Sequence, residues 1–409
     1  MANRVLNMVI VGVVLLTSCQ NKVSSDDQND KKGTFGDDIR FLEQWDEKLI
    51  VLSSEDEESQ IIVSPKYQGK VFTSTSEGLD GKSFGWINYD VFDEEINAHM
   101  NAYGGEDRLW LGPEGGTFSL FFEPGEEMSF ENWHTPPAID TEEWELVSSS
   151  SRGVSLSKNM ELKNYAGTVL KIGIDREVEL LESSEIEDML SISLNSETKS
   201  VGFKTINTLY NRGEKAWNEE TGAPCMWSLD MFTPTPKTVI LIPFKADAEG
   251  KIATTDYFGE IEEDRLKTEN GVLFFKADGL SRGKLGIPPH RVKPIAGSYA
   301  ADEKVLTVTL FDVDPEATYL NQEWSTDKDP FQGDAMNAYN DGPLEDGSQM
   351  GPFYEIESVS PAAFLKPEEN ISHSHSVFHF TGEEESLNAI AEKVFGVSLA
   401  YIERIFDND

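Results

Sequence analysis

Short runs of β-branched and aromatic residues dominate the hydrophobic pattern of the chain, and each run is bounded by glycine, proline, asparagine or aspartate. The runs lie at residues 61–63, 70–72, 117–122, 169–174, 238–244, 272–275 and 304–311. This pattern is typical of half-buried strands. The run 238–243 is almost continuously apolar, which predicts a strand covered on both faces. Many short strands without alternating long helices predict an all-β antiparallel sandwich.

Helical periodicity is confined to a few short segments. In residues 384–395 the apolar positions recur at helical spacing, and Gly396 follows as a stop signal. Residues 183–190 and 398–406 predict two further short helices. We expect these helices to pack on the outside of the sheets.

The first 18 residues resemble a bacterial lipoprotein signal peptide. Arg4 precedes the apolar stretch 8–16, which is too short to cross a hydrocarbon layer of ~30 Å. The Leu-Thr-Ser-Cys sequence ending at Cys19 resembles the lipobox, in which the cysteine is acylated and becomes the first residue of the mature protein. Gln20 follows, where an aspartate would resemble an inner-membrane retention signal. The sequence therefore predicts an envelope protein anchored through Cys19, in the outer membrane and facing the periplasm or the outside.

The polar composition of residues 19–38 predicts a flexible linker after the acylated cysteine. A sustained hydrophobic pattern then runs from Ile39 to Phe406. No internal repeat and no proline-, glycine- or serine-rich linker divides this stretch. We therefore expect residues 39–409 to form a single domain.

The chain is strongly acidic, with 74 Asp and Glu against 34 Lys and Arg and a formal net charge of -40. Such a field repels phosphate backbones, which argues against a nucleic-acid partner. It also repels anionic head groups, so the acyl chains are expected to hold the protein to the membrane. A neutral ligand suits this charge. With Cys19 lipidated, only Cys225 remains and no disulfide framework can form.

The first candidate site is the segment 101–116, in which two glycine pairs bracket an arginine, an indole and several carboxylates. They are Glu106, Asp107, Arg108, Trp110 and Glu114. Carboxylates and a guanidinium can hydrogen-bond sugar hydroxyls in pairs, and an indole can stack on the C–H face of a pyranose. The segment fits phosphate poorly because the carboxylates would repel it. The alternative is an internal ion pair of Arg108 that pins a turn, with Trp110 in the core.

The second candidate site combines residues 333–343, where Asn340 and Asp341 are possible contacts, with an alternating strand at 353–359. Glu355 and Glu357 share one face of that strand. A carboxylate among apolar neighbours is costly unless it is paired or functional. Burial would raise its pKa towards the working pH, as a general base requires. The alternative is a pair of exposed strand carboxylates.

Three histidines, His373, His375 and His379, fall on one face of a strand by the two-residue period. Histidines so placed can chelate a metal. However, no carboxylate or cysteine nearby in the sequence completes a ligand set, so the sequence predicts no metal and no cofactor. A solvated histidine ladder is the alternative.

Cys225 lies in a cluster rich in aromatic residues and methionine, which includes Trp217, Met226, Trp227 and Met231. The cluster could form a stacking platform or pack in the core. Cys225 has no nucleophile context, which indicates a buried thiol. The sequence contains no nucleophile elbow, dinucleotide-binding loop or EF-hand.

Five motifs together resemble a family of uncharacterised bacterial lipoproteins that is distantly related to the galactose mutarotase-like superfamily. The motifs are GGEDRLWLGPEGG, ADGLSRGKLGI, AGSYAADEKVLTV, GDAMNAYNDGP and GPFYEIESVSPAAFLKPEENISHSH. The resemblance covers nearly all of residues 40–400. It implies a β-supersandwich with a concave groove, in which members of the superfamily bind carbohydrates.

The resemblance also implies candidate catalytic roles. In aldose 1-epimerase-type relatives, a late-strand glutamate takes the proton of the anomeric hydroxyl and a histidine protonates the ring oxygen. The Glu-Ile-Glu strand followed by Leu-Lys-Pro-Glu resembles the segment that carries this glutamate, so Glu355 is the candidate base and Glu357 the second choice. The histidine does not map, because neither His99 nor His134 lies in the mutarotase Asn-His context.

Three functional hypotheses follow from the sequence. The first is an envelope lipoprotein that binds a neutral carbohydrate in an acidic groove through Glu106, Arg108, Trp110, Glu114, Asn340 and Asp341. The second is a sugar epimerase-like enzyme that uses Glu355. The third is a non-catalytic component of a glycan-processing system that binds a protein partner.

Overall fold

The computed structural model describes residues 33–344 and 346–407. The predicted signal peptide, the acylation site Cys19 and most of the predicted linker lie outside these residues. From Thr34 onward the chain forms one compact unit. Within the described residues, no helix is both long and apolar enough to cross a membrane.

Strands make up most of the secondary structure in the described part of the chain. They are β1 (Ile50–Ser53), β2 (Gln60–Ser64), β3 (Lys70–Thr75), β4 (Arg108–Gly112), β5 (Glu145–Ser149), β6 (Gly153–Lys163), β7 (Val169–Leu180), β8 (Lys199–Asn211), β9 (Cys225–Phe232), β10 (Thr238–Pro243), β11 (Leu266–Glu269), β12 (Val272–Lys276), β13 (Gly283–Ile287), β14 (Ile295–Ala300), β15 (Val305–Phe311), β16 (Met336–Asn340), β17 (Tyr354–Val359) and β18 (Asn370–Thr381). The α-helices are α1 (Phe35–Leu42), α2 (Ser183–Leu190), α3 (Glu384–Phe395) and α4 (Leu399–Arg404).

The strands form three antiparallel sheets. The large sheet has ten strands in the order β11-β12-β10-β14-β15-β18-β8-β7-β6-β5. The second has five strands in the order β13-β16-β17-β9-β4, and the third consists of β1-β2-β3. This architecture confirms the predicted all-β antiparallel sandwich with a few short helices.

The ten-stranded and five-stranded sheets face each other across the main core. Ser358 Oγ on β17 lies 2.8 Å from His373 Nε2 and 2.8 Å from His375 Nδ1 on β18. Tyr354 Oη, also on β17, lies 2.8 Å from Ser298 Oγ on β14. One face of the five-stranded sheet is therefore buried against the large sheet, and its other face is left to form a separate surface.

Helices α2, α3 and α4 cover the outer face of the large sheet. Their apolar side chains, such as Leu387 and Ile402, pack with Phe378 of β18. The bounds of α2 and α3 agree with the sequence prediction, and α4 lies within the predicted segment 398–406. Because these helices bury the outer face, strand β10 is covered on both sides, as its apolar run predicts. Ile240 belongs to the main core and Val239 to the outer cluster.

Two sequence predictions are wrong. The predicted linker extends to residue 38, but α1 begins at Phe35, which is fully buried, and a capping box between Thr34 and Asp37 starts this helix. Residues 117–122 form turns instead of a strand, because Ser119 Oγ donates to the Glu114 carbonyl and accepts from the Phe121 amide. Such local side-chain bonds compete with a strand ladder.

Candidate functional site

Strand β17 separates two chemical environments through its alternation. Tyr354 and Ser358 point to the large sheet, whereas Glu355 and Glu357 lie on the opposite face, as the sequence pattern predicts. Both glutamates are nevertheless buried. A pocket over the five-stranded sheet explains this combination.

The pocket encloses about 580 Å³, part of which is open to solvent. Aromatic and charged side chains dominate its wall. The lining residues are Met100, Arg108, Trp110, Glu114, Phe130, Trp133, Trp227, Leu229, Phe258, Arg282, Lys284, Trp324, Tyr339, Met350, Phe353 and Glu355.

An ion pair between Arg108 and Glu355 lies in this wall. Arg108 begins β4, and its Nη2 donates to Glu355 Oε1 at 2.6 Å across 247 positions of sequence. The guanidinium also lies 4.4 Å from the ring centroid of Trp110. Burial raises the pKa of Glu355 to about 7, although the positive charge of Arg108 opposes this shift. Glu355 can therefore exchange a proton near neutral pH, which is the property required of a general acid or base.

A second ion pair lies beside the first. Lys284 on β13 donates from Nζ to Glu357 Oε2 at 3.0 Å, and Trp227 Nε1 donates to the same oxygen at 2.8 Å. The lysine nitrogen also lies 4.5 Å from the centroid of the Trp227 ring. Lys284 pairs with Tyr339 and Tyr339 pairs with Glu355 along one row of the sheet. Glu357 lies two residues beyond Glu355 on the same face, so Lys284 reaches it diagonally.

Several N–H groups of the pocket wall have no hydrogen-bond acceptor among the described residues. They include Arg108 Nε, Trp110 Nε1 and Trp133 Nε1, all of which are buried. Buried donors without a partner are costly to a fold. Each of these atoms is closed off from solvent, so a ligand oxygen reaches it only after a neighbouring side chain moves.

Of the predicted contact residues, Arg108, Trp110, Glu114 and Glu355 line the pocket together. Burial raises the pKa of Glu114, which favours its uncharged form more than in water. The sequence also left open the alternative that Arg108 forms an internal ion pair. Such a pair is present, because Arg108 contacts Glu355 in the pocket wall.

Three other predicted contacts, Glu106, Asn340 and Asp341, do not line the pocket. Glu106 is fully buried on the core side, where it accepts from Ser74 Oγ at 2.6 Å and lies 3.0 Å from His379 Nε2. Asn340 holds a turn, because it accepts from the amide of Gly279 at 2.9 Å. In this structure neither side chain lines the pocket.

Asp341 also lies outside the pocket wall, and it supports a residue that the sequence analysis missed. It accepts a hydrogen bond of 2.9 Å from Tyr339 Oη, and Tyr339 lines the pocket. Asp341 is thus a positioning residue. Several other lining residues were not predicted as contacts from the sequence, namely Trp133, Phe353, Trp324, Lys284 and Arg282. Lys284 and Arg282 lie within a quoted motif but carry no periodic signal, and Trp133 and Trp324 lie in loops.

The three histidines of β18 lie on one face, as predicted, but this face is in the core and not in solvent. His375 Nε2 lies 2.7 Å from Asp230 Oδ2, and one ligand atom each of Asp107, Asp230 and His375 falls within 4.8 Å of the others. The fold thus supplies carboxylates that are remote in sequence. Asp107 is, however, paired with the fully buried Arg176. We describe this group as a buried polar network, because Asp107 already pairs with Arg176 and Asp230 lies within hydrogen-bond distance of His375.

Burial sets the protonation of this network. It raises the pKa of Asp230 to about 7, and it lowers the pKa of His373 to about 3. Burial alone would lower the pKa of His375, but the charge and hydrogen bond of Asp230 outweigh it and the pKa is raised. Cys225 is fully buried as well, and burial raises the pKa of its thiol to about 12, which agrees with an inert thiol.

Comparison with known proteins gives the same fold. A sequence model described as "Family of unknown function (DUF6786)" matches residues 33–406. A candidate aldose 1-epimerase from Escherichia coli K12 superposes with a TM-score of 0.50 at 13% identity, covering 81% of this chain and 98% of the other. No curated protein matches the sequence.

Two further solved structures are similar at a lower level. A protein from Synechocystis sp. PCC 6803 gives a TM-score of 0.48 at 12% identity, covering 82% of this chain and 96% of the other. A galactose mutarotase-like protein from Lactobacillus casei gives 0.45 at 10% identity, covering 81% and 99%.

Proposed function

The chain belongs to the family of unknown function DUF6786, and we propose that it binds a carbohydrate in the pocket over its five-stranded sheet. The observation that carries this proposal is the convergence of Arg108, Trp110 and Glu355 in one pocket, although Glu355 lies far from the other two in sequence. The fold shared with a candidate aldose 1-epimerase is consistent with it.

The wall of the pocket has the two properties that a sugar requires. Four tryptophans, namely Trp110, Trp133, Trp227 and Trp324, offer apolar faces on which the C–H side of a pyranose can stack. The guanidinium of Arg108 and the carboxylate of Glu355 can hydrogen-bond hydroxyls. Apolar faces alternating with polar groups suit a sugar better than a wholly apolar ligand.

A glycan array probed with the protein tests the binding proposal. We expect retention of a restricted set of glycans, because the aromatic faces and donors hold fixed positions. The array is probed at protein concentrations up to about the millimolar range, in which weak complexes still form. If no glycan is retained, the proposal fails and the pocket belongs to another class of ligand.

The raised pKa of Glu355 favours a second candidate function, a sugar epimerase-like activity. At a pKa of about 7 this group would accept the anomeric hydroxyl proton at neutral pH and return it after ring closure. Among the described residues that line the pocket there is no histidine. The proton on the ring oxygen would therefore come from another group, and Glu114 is the candidate because burial raises its pKa and makes it easier to protonate than in water.

If the protein is an epimerase, Glu355→Gln should remove the acceleration of anomer interconversion while leaving sugar binding within about threefold. The amide keeps the shape of the side chain but cannot take a proton. The wild-type rate should rise with pH through about 7, since only the carboxylate form is a base. NMR exchange spectroscopy on aldohexoses measures both effects.

A matched control is Glu385→Gln, an exposed glutamate of α3 on the far side of the large sheet. It should leave the rate and its pH profile unchanged. A wild-type protein that accelerates interconversion of no sugar it binds would rule out the epimerase candidate and leave binding as the function.

We further propose that Cys19 anchors the protein to the cell envelope, with the pocket-bearing domain outside the cytoplasm. The support comes from the sequence alone, namely the short apolar stretch that ends in Leu-Thr-Ser-Cys. Several acyl chains on one residue provide a stable anchor, at about 0.8 kcal/mol per buried CH₂.

Cys19→Ala should abolish incorporation of a clickable palmitate analogue and release the protein from the membrane fraction. The control is Cys225→Ala, which removes the buried thiol and should keep both label and fractionation. Labelling that persists in Cys19→Ala, or disappears in Cys225→Ala, would contradict the anchor.

A further inference from the structure

Cations are more frequent at the pocket than in the chain as a whole. Acidic residues outnumber basic ones by 74 to 34 along the sequence. At the pocket, Arg108, Arg282 and Lys284 face the carboxylates of Glu114, Glu355 and Glu357, the last of which pairs with Lys284. The surroundings of the pocket are therefore close to neutral, in contrast to the strongly acidic chain.

Two of these three cations are neutralised by neighbouring carboxylates. Arg108 Nη2 contacts Glu355 Oε1 at 2.6 Å, and Lys284 Nζ contacts Glu357 Oε2 at 3.0 Å. Both pairs are almost fully buried. The two glutamates balance the charges of Arg108 and Lys284, so neither cation by itself requires an anionic ligand.

Arg282 is different. Within the described residues it forms no ion pair within 4 Å, and none of its side-chain nitrogens donates a hydrogen bond. It is exposed, it precedes β13, and its guanidinium lies 4.0 Å from the ring centroid of Phe258. Phe258 is also part of the pocket wall. Stacking on the ring orients the guanidinium plane and leaves its N–H edges free for a planar or tetrahedral anion.

We propose that the carbohydrate bound in this pocket carries an anionic group, a carboxylate, a sulfate or a phosphate, and that Arg282 holds this group at the pocket mouth. The inference rests on the proposed carbohydrate function and narrows its ligand class. It replaces the neutral ligand expected from net charge, because a ligand responds to the charges lining its site more than to the total charge of the chain. An arginine fork binds such oxyanions in a bidentate manner.

The test compares sugars that differ only at carbon 6. The probes are galactose, galacturonic acid, galactose 6-sulfate and galactose 6-phosphate, together with the corresponding glucose series. Titration calorimetry with wild-type protein should show at least one anionic member binding about tenfold more tightly than its neutral parent, as for a charge-assisted hydrogen bond. This preference should shrink as sodium chloride is raised from about 0.05 to 0.5 M. The sugar that binds most tightly identifies the anionic group.

Arg282→Gln should abolish the preference for the anionic sugar over its neutral parent, so that the two affinities become equal within about twofold. The matched control is Arg404→Gln, an exposed arginine of α4 on the outer face of the large sheet, which removes the same charge and should retain the preference. Equal affinity of wild-type protein for neutral and anionic members, or a preference that survives in Arg282→Gln, would overturn the inference while leaving carbohydrate binding intact. Failure to bind any probe would count against the carbohydrate function itself, and the inference would fall with it.

Discussion

Replacing Arg176 with alanine should lower the free energy of unfolding by about 3–5 kcal/mol, because the change leaves a buried aspartate without its counter-charge. Arg176 is fully buried and pairs with Asp107, which is also fully buried. It donates further hydrogen bonds to the Gly69 carbonyl at 2.8 Å and to Asn207 Oδ1 at 2.9 Å. The truncation thus leaves several buried acceptors without a donor, in addition to a cavity.

Equilibrium unfolding in guanidinium chloride measures this loss. The control is Arg152→Ala, whose partner Glu185 lies at 2.8 Å but whose side chain is half-buried at the surface, so the loss should stay below about 1 kcal/mol. A double variant Arg176→Met with Asp107→Asn should recover part of the loss, since no uncompensated charge remains. If Arg176→Ala costs no more than Arg152→Ala, the core does not depend on this ion pair.

Arg108→Ala should weaken carbohydrate binding by about ten- to a hundredfold. The estimate follows from one charged hydrogen-bonding group, at about 1.5–3 kcal/mol. The guanidinium lies in the pocket wall, holds Glu355 at 2.6 Å and presents a buried Nε without an acceptor among the described residues. Without Arg108 the pKa of Glu355 should rise above about 7, because the cation that opposes the effect of burial is gone.

Calorimetric titration with a glycan retained on the array measures the affinity, and a melting curve of the same sample reports the fold. Arg265→Ala is a matched control, since Arg265 forms a comparably buried pair with Asp278, at 2.5 Å, outside the pocket wall. We expect the control to lose stability but to bind within about twofold of wild type. Equal affinities of Arg108→Ala and wild type would remove Arg108 from the site.

The alternating patterns of the sequence suffice to predict the class of fold and part of the pocket. The two-residue period places Glu355 and Glu357 on one face of β17, and this holds in the structure. It also places the three histidines of β18 together. Such predictions succeed because alternation within one strand is a local property of the backbone.

Glu106 was predicted as a contact from the glycine-flanked segment, yet it does not line the pocket, and the reason is structural. Glu106 precedes β4 and pairs with the preceding sheet, since its amide donates to the Phe72 carbonyl at 3.0 Å. Both Glu106 and its neighbour Asp107 contact the inner face of the large sheet, so the alternation breaks between them. A period can be extended only as far as the strand itself, and the sequence does not mark where β4 begins.

Pairings between distant strands are also beyond the reach of the sequence pattern. Lys284 donates to Glu357, which lies 73 positions away in the sequence. The two meet because β16 pairs with both β13 and β17. Asp230 reaches His375 across 145 positions. Loop residues such as Trp324 carry no period at all, so their place in the pocket wall follows only from the tertiary structure.

A crystal structure of the protein with a glycan selected from the array tests the central claim most directly. We expect a sugar ring stacked on the tryptophan faces of the pocket, with a hydroxyl group within about 3.2 Å of Arg108 or Glu355. A glycan bound at another surface, with this pocket unchanged, would contradict it.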